Sequence, residues 1–565
     1  MFAFSRTNRI AAVPAPAGSF LALPLLFGVL LAGCAQPERE PAPRPAAPVP
    51  EGAPRLVLFL VVDQMRADYL TRFGPLYERG LARLLEESVV FTDNHQAHAR
   101  TETAAGHATL STGAFPSTHG VIGNYWWDRE TQSEVYSADD PDVDRSARNL
   151  ESPTLGDLFK RNWPESKVFG IGGKDRSAIL TAGATADAAY WYSSRTGTFT
   201  TSAAYRGDDE PEAEWLAAFH DRKLLDRLFG EAWTPLITAE QAAPYGVAPL
   251  DRGAFSRSFP YPLGGLSPYP DSSFYGAIYG TPFVDAYVAD LAKALIDGEA
   301  LGQDATPDFL GVTFSALDSV GHTYGPDAPE TLDTLMRLDR TLGDLLDFVD
   351  ARVGRDNVVV TLSSDHGVGE VPELRIARGE DAGRFGTEQV LCMQRLGRQL
   401  SRDFGLEGVD WMPELGYFDR GALASRQVDP DRLESALVEG LSACPRIARI
   451  LRPEELSLDS ADPMIRLAAR SYYPGRSADL MFVLEPQTLA TTTIASHGSP
   501  HRYDTWVPWL LRLPGVESQT IDRTTATVDV VPTIAPLYGF AGVKFDGLDR
   551  SSLLRNAPVA VSSAQ

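Results

Sequence analysis

The sequence predicts an α/β fold in which a largely parallel central sheet is sandwiched by helices. Three apolar runs, each delivering an acidic residue, are the main observation: residues 55–63, 308–318 and 357–366. Such runs without polar alternation are typical of strands that are buried on both faces of a parallel sheet. Helical patterns separate the runs, and strands alternating with helices indicate helix layers on both sides of the sheet.

The first residues have the features of an export signal. Arg6 and Arg9 give a positive start, and the apolar run 20–31 is too short to span a bilayer as a mature helix. The run ends in L-A-G-C, which resembles the bacterial lipoprotein processing box, with Cys34 as the lipid-bearing residue. An ordinary cleavage site is the alternative. We therefore predict an exported lipoprotein, periplasmic or tethered to the outer membrane, that contacts the membrane only through this N-terminal anchor.

The rest of the chain is predicted to be a core with two insertions. Residues 1–34 form the signal segment, and the proline-rich residues 35–54 form an extended tether. An aromatic-rich cap segment is inserted at 191–300, and an α+β segment is inserted at 371–490. The core is predicted to consist of the three remaining parts, 55–190, 301–370 and 491–565.

Several helices follow from periodicity. Leucines at helical spacing predict a core helix over 329–350. Two amphipathic segments, near 387–404 and 429–443, predict helices in the second insertion. The sheet is predicted to resume near Thr491, and the chain to finish with a helix over 527–539.

Composition excludes some functions. The net charge of −24 over 565 residues repels nucleic-acid backbones, so nucleic-acid binding is excluded as the main task. The three cysteines include no C-x-x-C pair, which excludes a thiolate zinc site. Cys392 and Cys444 form either a disulfide, in an oxidising compartment, or two buried thiols. The oligomeric state has no signal in the sequence.

Thr103 stands at the start of a helix-like segment of small residues. Its hydroxyl is interpreted either as an ordinary N-cap or as a nucleophile that attacks an anionic group. The free N–H groups and positive dipole of a helix N-terminus suit a phosphoryl group there. Because threonine is a weak nucleophile unless a base or a metal lowers its pKa, the second interpretation requires metal ligands elsewhere in the chain.

Candidate metal ligands occur at strand ends and in loops. Taken singly, each aspartate is most simply interpreted as a turn or cap residue, and each histidine as a structural residue. Together, mixed imidazole and carboxylate ligands suit zinc, and six of them suit two ions. Two metals about 4 Å apart stabilise the attacking and leaving oxygens of an in-line phosphoryl displacement. The six residues are Asp63, Asp318, His322, Asp365, His366 and His497.

The order of these residues resembles the alkaline phosphatase superfamily, and within it the branch related to type I phosphodiesterases and nucleotide pyrophosphatases that contains the PafA-type alkaline phosphatases. The resemblance runs from about Arg55 to Leu554. It is carried by motifs in family order: T-x-x-G-H, H-G-V-I-G-N, G-K-D-R, D-S-V-G-H-T-Y-G-P, S-D-H-G and H-G-S-P-x-x-Y-D-T.

The resemblance implies an alkaline phosphatase-like fold and two Zn²⁺ ions. One zinc is then held by Asp318, His322 and His497, and the other by Asp63, Asp365 and His366. Thr103 would bridge to the second zinc, attack as an alkoxide and carry a covalent phosphothreonine, which zinc-bound water at the first site would hydrolyse.

Three further residues follow the family pattern as contacts to the phosphoryl group. Asn124, Lys174 and Arg176 offer one amide and two cations, which suit the non-bridging oxygens of a dianion. Without the metal constellation, a turn former and a solvated turn are the simpler interpretations of these residues.

The sequence departs from the family pattern at Trp506, where a histidine often follows Y-D-T, so a polar contact is expected to be absent. His501 is a further candidate metal ligand by its proximity to His497. His107 and His119 are predicted to be structural or to lie behind the ligands. No role is predicted for His95, His98 and His220.

The favoured function is therefore a phosphate monoester hydrolase that acts on small phosphorylated metabolites. A phosphodiesterase or nucleotide pyrophosphatase on the same scaffold is the first alternative. A sulfatase is disfavoured because the sequence lacks a C/S-x-P-x-R motif. A lipid-tethered protein that binds phosphorylated ligands without turnover is the last alternative, and it conflicts with the complete ligand set.

Overall fold

The computed structural model describes residues 47–207, 211–249, 258–491, 493–540 and 542–555. The predicted signal segment and Cys34 lie outside the described residues, so the predictions made for them stay predictions. Among the residues that are described, no helix is both long and apolar enough to cross a membrane.

The strands are short outside the central sheet. In chain order they are β1 Leu56–Val62, β2 Val89–Phe91, β3 Asn94–His95, β4 Tyr125–Asp128, β5 Ser133–Tyr136, β6 Asp139–Asp140, β7 Asp144–Arg145, β8 Val168–Gly172, β9 Ala188–Ser193, β10 Thr198–Thr200, β11 Ala232–Trp233, β12 Tyr261–Pro262, β13 Asp308–Phe314, β14 Val358–Ser363, β15 Gly383–Arg384, β16 Ile447–Leu451, β17 Met481–Leu484, β18 Thr488–Leu489, β19 Trp509–Arg512, β20 Gln519–Ile521 and β21 Thr525–Ala526.

The helices lie between these strands. They are α1 Asp68–Arg72, α2 Gly80–Glu87, α3 Thr103–Thr112, α4 Pro116–His119, α5 Leu155–Asn162, α6 Asp175–Ala182, α7 Glu214–Asp221, α8 Ala239–Ala242, α9 Ser272–Tyr279, α10 Phe283–Gly298, α11 Ala316–Tyr324, α12 Pro329–Arg352, α13 Pro372–Ala377, α14 Thr387–Asp403, α15 Arg420–Ser425, α16 Pro430–Ser442, α17 Pro463–Ser471, α18 Arg502–Thr505 and α19 Val530–Ile534.

Nine strands form one sheet in the order β10-β9-β8-β13-β1-β14-β19-β2-β20. Its centre, from β9 to β14, is parallel throughout. On one side of this centre β19 runs antiparallel to both β14 and β2, and on the other β10 runs antiparallel to β9. The prediction of a largely parallel central sheet is confirmed.

Alternate residues of β1 enter two separate cores, one on each face of the sheet. Leu58 and Leu60 pack in a core that includes leucines of α10 and α12. Val57 and Phe59 pack in a second core with residues of α3, α5 and α19, such as Leu110. Because both faces of β1 are covered, the strand is apolar throughout, and this explains its uninterrupted apolar run.

The predicted helix over 329–350 is α12, and the two amphipathic segments of the second insertion are α14 and α16. Helices α14 and α16 pack on a core of their own, in which Leu433 and Leu437 are buried with Leu480. Cys392 and Cys444 are joined by a disulfide. Of the two states that the sequence leaves open, a disulfide or two buried thiols, the structure has the disulfide.

The central sheet continues past residue 190, through β9 and β10 to Thr200.

Three predictions of local structure are wrong. The sequence predicts that a strand ends at Asp318, but β13 ends at Phe314 and Asp318 lies in the first turn of α11. Asp285 explains this turn of the chain, because its Oδ1 accepts hydrogen bonds from the N–H groups of Ser315 and Ala316 at the start of α11.

The other two wrong predictions concern the C-terminal region. The sheet resumes only at Trp509, because the chain from 493 to 508 forms α18 and the loop that carries His497. The predicted helix over 527–539 is interrupted, since α19 covers only Val530–Ile534 between two 3₁₀ turns. Pro536 has no N–H to continue the helical hydrogen bonds, which explains the break.

Candidate active site with two metal-ligand triads

The carboxyl ends of two neighbouring central strands deliver the first ligand candidates. Asp63 directly follows β1, and Asp365 and His366 follow β14 after Ser364. Since β1 and β14 are parallel neighbours, these side chains meet at the same edge of the sheet. This edge is where α/β proteins bind their ligands.

The second predicted zinc triad converges on one point. His366 Nε2 lies 3.5 Å from Asp63 Oδ1 and 3.4 Å from Asp365 Oδ2. All three side chains are fully buried, and among the described residues neither Asp63 Oδ1 nor His366 Nε2 has a hydrogen-bond partner. Asp365 Oδ2 lies 3.3 Å from His107 Nδ1, but that nitrogen is closer to the carbonyl oxygen of Thr103, at 2.8 Å. Buried polar atoms are almost always satisfied, so these atoms, which face one another, fit a bound cation.

The first predicted zinc triad is assembled from α11 and a loop. Asp318 and His322 lie one turn apart on α11, and His322 Nε2 is 3.2 Å from Asp318 Oδ1. The loop before α18 brings His497 Nε2 to 3.6 Å from the same oxygen. The structure therefore groups the six predicted ligands into the two predicted sets of three.

Hydrogen bonds at the far side of each ring orient the histidines. His322 Nδ1 bonds to the carbonyl oxygen of Ala495 at 2.8 Å, and His497 Nδ1 bonds to that of Thr101 at 2.7 Å. A carbonyl accepts only from a protonated nitrogen, so in the neutral form of each ring Nε2 carries the lone pair and directs it towards Asp318. Such outer hydrogen bonds are typical of metal-binding histidines. The mixed carboxylate and imidazole donors suit zinc.

Burial favours neutral imidazoles at two of these positions. Burial lowers the pKa of His366, against the opposing effect of Asp365. Burial, together with the neighbouring rings of His366 and His322, holds the pKa of His497 well below its usual range. Neutral imidazole is the form that binds metals.

Lys174 joins the two triads. Its ammonium donates to Asp63 Oδ2 in one triad and, at 2.7 Å, to Asp318 Oδ2 in the other. Burial alone would lower the pKa of Lys174, but Asp318 and Asp63 outweigh it and raise that pKa. Lys174 is only 8% exposed, so the interpretation of this residue as a solvated turn is wrong.

Thr103 is the first residue of α3 and is buried. The N-cap of this helix is Glu102, so Thr103 lies one position inside the helix. The N-cap interpretation of Thr103 is therefore wrong. Its hydroxyl oxygen lies 3.5 Å from both Lys174 Nζ and Arg176 Nη2. Two cations beside one hydroxyl favour an anionic group at this position.

Asn124 and Arg176 complete the predicted phosphoryl contacts. Asn124 Oδ1 accepts from the N–H of Ala104 at 3.0 Å, which places its amide beside the start of α3. Arg176 lies at the start of α6, and its Nη1 donates to the hydroxyl of Tyr136 at 3.2 Å. The structure thus places all three predicted donors around Thr103.

Sequence reasoning missed Glu102. Its carboxylate accepts from the N–H of Asn124 at 2.7 Å and from Arg100 Nε at 2.7 Å. Although burial opposes it, Arg100 lowers the pKa of Glu102 to about 2. Glu102 is therefore ionised, and it fixes Asn124 beside the start of α3. Its place directly before Thr103 was the available signal.

Gln64 was also missed, although it follows Asp63 in the sequence. Its backbone N–H donates to Asp365 Oδ1 at 3.1 Å, and its side-chain amide donates to Asp318 Oδ1 at 2.6 Å. Gln64 therefore contacts both triads.

The remaining histidines lie outside the two triads. His107 is buried behind them, with its Nδ1 2.8 Å from the carbonyl oxygen of Thr103 and 3.3 Å from Asp365. His119 bonds to Thr109. His501 bonds to the carbonyl of Leu484 and belongs to neither triad. His95 lies 2.9 Å from Asp93, and His220 lies 3.3 Å from Glu212. His98 is buried, and none of these three histidines belongs to a triad.

Trp506 makes polar and ring contacts outside the two triads. Its indole Nε1 donates to the carbonyl oxygen of Thr92 at 3.0 Å, and the guanidinium of Arg502 lies 4.2 Å from its ring centre. It packs away from the triads, against β2 and α18.

Comparison with known proteins agrees with this geometry. The sequence profile of the type I phosphodiesterase / nucleotide pyrophosphatase family matches residues 57–504, which include all of the residues that form the two triads. The chain belongs to this family.

Two alkaline phosphatases are similar to this chain over most of their length. Alkaline phosphatase PafA from Elizabethkingia meningoseptica is 30% identical over 86% of this chain and 91% of its own. Alkaline phosphatase PhoK from Sphingomonas sp is 30% identical over 86% of this chain and 88% of its own. The crystal structure of PafA covers 88% of this chain and 97% of its own with a TM-score of 0.80 at 29% identity.

Proposed function

We propose that this protein is a zinc-dependent phosphate monoester hydrolase of the alkaline phosphatase type that acts through a covalent phosphothreonine on Thr103. One observation carries the proposal: two triads of aspartate and histidine converge on either side of Lys174, and the Thr103 hydroxyl lies 3.5 Å from that lysine. Family membership and the relatives named alkaline phosphatases support a phosphoric monoester hydrolase.

Two zinc ions fit the donor set. Asp318, His322 and His497 would hold one, and Asp63, Asp365 and His366 would hold the other, with Thr103 as a further ligand of the second. When bound, zinc supplies charge stabilisation to phosphoryl oxygens and lowers the pKa of a hydroxyl or a water molecule.

The residues of the chain perform the transfer in two steps. The Thr103 oxygen loses its proton and forms a bond to phosphorus, while the ester P–O bond breaks and the leaving oxygen takes up a proton to depart as the alcohol. Water then attacks the phosphothreonine, which returns the Thr103 hydroxyl and releases inorganic phosphate. The N-terminus of α3 carries a positive dipole end that favours the dianionic group in both steps.

The substrate contacts favour a group with three charged oxygens. Lys174 and Arg176 present cations beside the Thr103 hydroxyl, and Asn124 presents an amide. Donors arranged in advance around developing charge are the main source of rate enhancement in such sites. Small phosphorylated metabolites are therefore the proposed substrates.

A phosphodiesterase or nucleotide pyrophosphatase is the second candidate, because the matching family profile bears that description. A diester offers one charged oxygen fewer than a monoester, so the two candidates differ in what Lys174 and Arg176 contribute.

One experiment separates these candidates. The zinc-loaded protein is assayed for kcat/KM with an aryl phosphate monoester, a matched aryl phosphate diester and an aryl sulfate. We expect kcat/KM for the monoester to exceed that for the diester by at least about 100-fold, because the loss of a charge-assisted contact to a transition-state oxygen costs on that order. We expect kcat/KM for the sulfate to be lower than for the diester. A diester turned over as fast as the monoester would make the protein a phosphodiesterase.

We also propose that the protein is exported and anchored through a lipid on Cys34. The disulfide between Cys392 and Cys444 supports export, because disulfides persist in oxidising compartments. Mass spectrometry of the mature N-terminus tests the anchor: acylated Cys34 is expected, and Cys34→Ala should abolish acylation. An N-terminus cut at another residue without lipid would make the segment an ordinary signal peptide.

A further inference from the structure

A cavity of about 290 Å³ lies beside the first triad, between the core and the second insertion. Two residues of the catalytic region line it: His497 of the first triad, and Glu102, which precedes Thr103. Its remaining wall comes mostly from the insertion and is largely apolar, with Leu415, Tyr417, Leu480, Phe482 and Leu484 among its residues.

Part of this apolar wall is open to a ligand. Leu415, Phe482 and Leu484 are only partly buried, whereas Leu480 is 1% exposed. Apolar side chains that line a concave site next to a few polar groups are typical of small-molecule sites. The cavity is therefore suited to an apolar group that is attached to the phosphate.

The charges around the cavity disfavour a second anion. Among the described residues that line it, Glu102, Glu414 and Asp504 are acidic, and Arg100 is the single lysine or arginine. Arg100 already donates to Glu102 at 2.7 Å. Asp504 is buried, so an anionic leaving group would meet chiefly the Glu414 carboxylate, without gaining a cation of its own.

The geometry points to this cavity as the leaving-group subsite, with phosphate monoesters of apolar, uncharged alcohols as the preferred substrates. This inference rests on the proposed function. In an in-line displacement the leaving oxygen departs opposite to the attacking Thr103 oxygen. With Thr103 as the proposed further ligand of the second triad, the leaving oxygen would face the first triad, whose His497 forms part of the cavity wall.

A series of alkyl phosphates tests the subsite. Propyl, pentyl and heptyl phosphate have leaving alcohols of matched acidity, so their intrinsic reactivities are the same and only apolar length differs. Each buried methylene is worth up to about fourfold, and we expect kcat/KM to rise at least about 10-fold from propyl to heptyl phosphate. A 6-carboxyhexyl phosphate should fall about 10-fold or more below heptyl phosphate.

Substitutions locate the effect in the cavity. Phe482→Ser and Leu415→Ser should each lower the ratio of heptyl to propyl kcat/KM several-fold. The matched control is Leu391→Ser, in an exposed part of α14 outside the cavity, which should leave that ratio unchanged. Circular dichroism and thermal unfolding verify that each variant is folded. Because two cavity residues are substituted separately, the test can still be made if one of the two variants fails to fold.

A charge reversal tests the electrostatic part. Glu414→Lys should raise kcat/KM for the carboxyhexyl phosphate about 10-fold relative to heptyl phosphate, whereas Glu439→Lys, on the exposed side of α16, should not.

The outcomes separate this inference from the proposed function. Turnover of propyl phosphate without any dependence on chain length, or equal ratios in Phe482→Ser and Leu391→Ser, would overturn the subsite and leave the phosphatase in place. Absence of turnover with every monoester, in protein that contains zinc, would overturn both.

Discussion

The side-chain amide of Gln64 donates a hydrogen bond to Asp318 Oδ1 at 2.6 Å. Through its backbone N–H, Gln64 also bonds to Asp365, so it links the two triads. It does so with a φ of 67°, a left-handed conformation that is uncommon outside glycine. Gly321 on α11 makes the approach possible, because a Cβ at that position would lie 1.9 Å from Gln64 Oε1.

Gln64→Leu should weaken zinc binding and turnover together. Outer-shell partners of metal ligands typically contribute about 10- to 100-fold to metal affinity or activity, and leucine keeps the size of the side chain but donates nothing to Asp318. Zinc affinity is measured by titration against a chelator, and kcat/KM with an aryl phosphate. Gln132→Leu is the control, since Gln132 is an exposed residue with a φ of 53°.

Gly321→Ala should act in the same direction, since the added methyl group displaces the Gln64 amide. If Gln64→Leu bound zinc as tightly as the wild type, the hydrogen bond to Asp318 would have no part in orienting that ligand.

The six ligand candidates could be found from the sequence because the fold fixes where they meet. An apolar run that ends in an acid predicts a buried parallel strand, and parallel neighbours such as β1 and β14 deliver Asp63 and Asp365 to the same edge. The spacing of Asp318 and His322 similarly suits adjacent turns of one helix, even though the sequence predicts a strand at Asp318.

Gln64 and the cavity beside His497 could not be predicted in this way. The role of Gln64 depends on a left-handed backbone and on a contact with α11, both set by tertiary packing. The cavity depends on how the insertion 371–490 packs against the loop after Ala495, and periodicity within either segment carries no information about that packing.

Removal of one metal ligand should abolish turnover instead of weakening substrate binding. We expect about two zinc ions per chain in the purified protein, because six ligands form two sets of three. Asp365→Ala should lose one of the two ions and nearly all of kcat, as measured by elemental analysis and steady-state kinetics. Full activity in chelator-treated protein that contains no zinc would contradict this prediction.

Thr103→Ala should remove the covalent pathway, since no hydroxyl remains at the start of α3. Thr103→Ser should retain part of the activity because it keeps the hydroxyl. The measurement is acid-quench trapping with a labelled phosphate ester, followed by peptide mapping. Label on another residue, or a wild-type rate in Thr103→Ala, would show that Thr103 is not the nucleophile.

Asp308 should make the protein less stable as pH rises through the acid range. It is buried at the start of β13, and burial raises its pKa to about 6, above the value of about 3.9 for an unfolded chain. Between these values the folded state holds the proton more tightly, so stability falls from about pH 4 to pH 6, by about 3 kcal/mol for a shift of about two units.

Asp308→Asn is the comparison that isolates this effect. Urea unfolding at several pH values gives the difference in unfolding free energy between wild type and variant, in which the contributions of other acids cancel. The wild type should lose stability relative to Asp308→Asn as pH rises from about 4 to 6. A difference that is constant across this range would contradict the raised pKa.

The strongest test of the site compares monoesters with diesters after the two cations are removed. A monoester carries charge on three non-bridging oxygens, whereas a diester replaces one of these with an esterified, neutral oxygen. Lys174 and Arg176 lie within 3.5 Å of the Thr103 oxygen, so they are placed to contact that third oxygen. Loss of a charge-assisted contact to a desolvated oxyanion costs on the order of 10²–10³ in rate.

The double variant Lys174→Ala, Arg176→Ala should therefore lose far more monoester kcat/KM than diester kcat/KM. Zinc content is measured in the same samples, because Lys174 also contacts Asp63 and Asp318 and its loss alters the charge at both triads. Lys160→Ala, Arg161→Ala on α5 is the control for the removal of two positive charges. If both substrates fell by one common factor with zinc retained, Lys174 and Arg176 would be structural, and the phosphodiesterase would become the better-supported function.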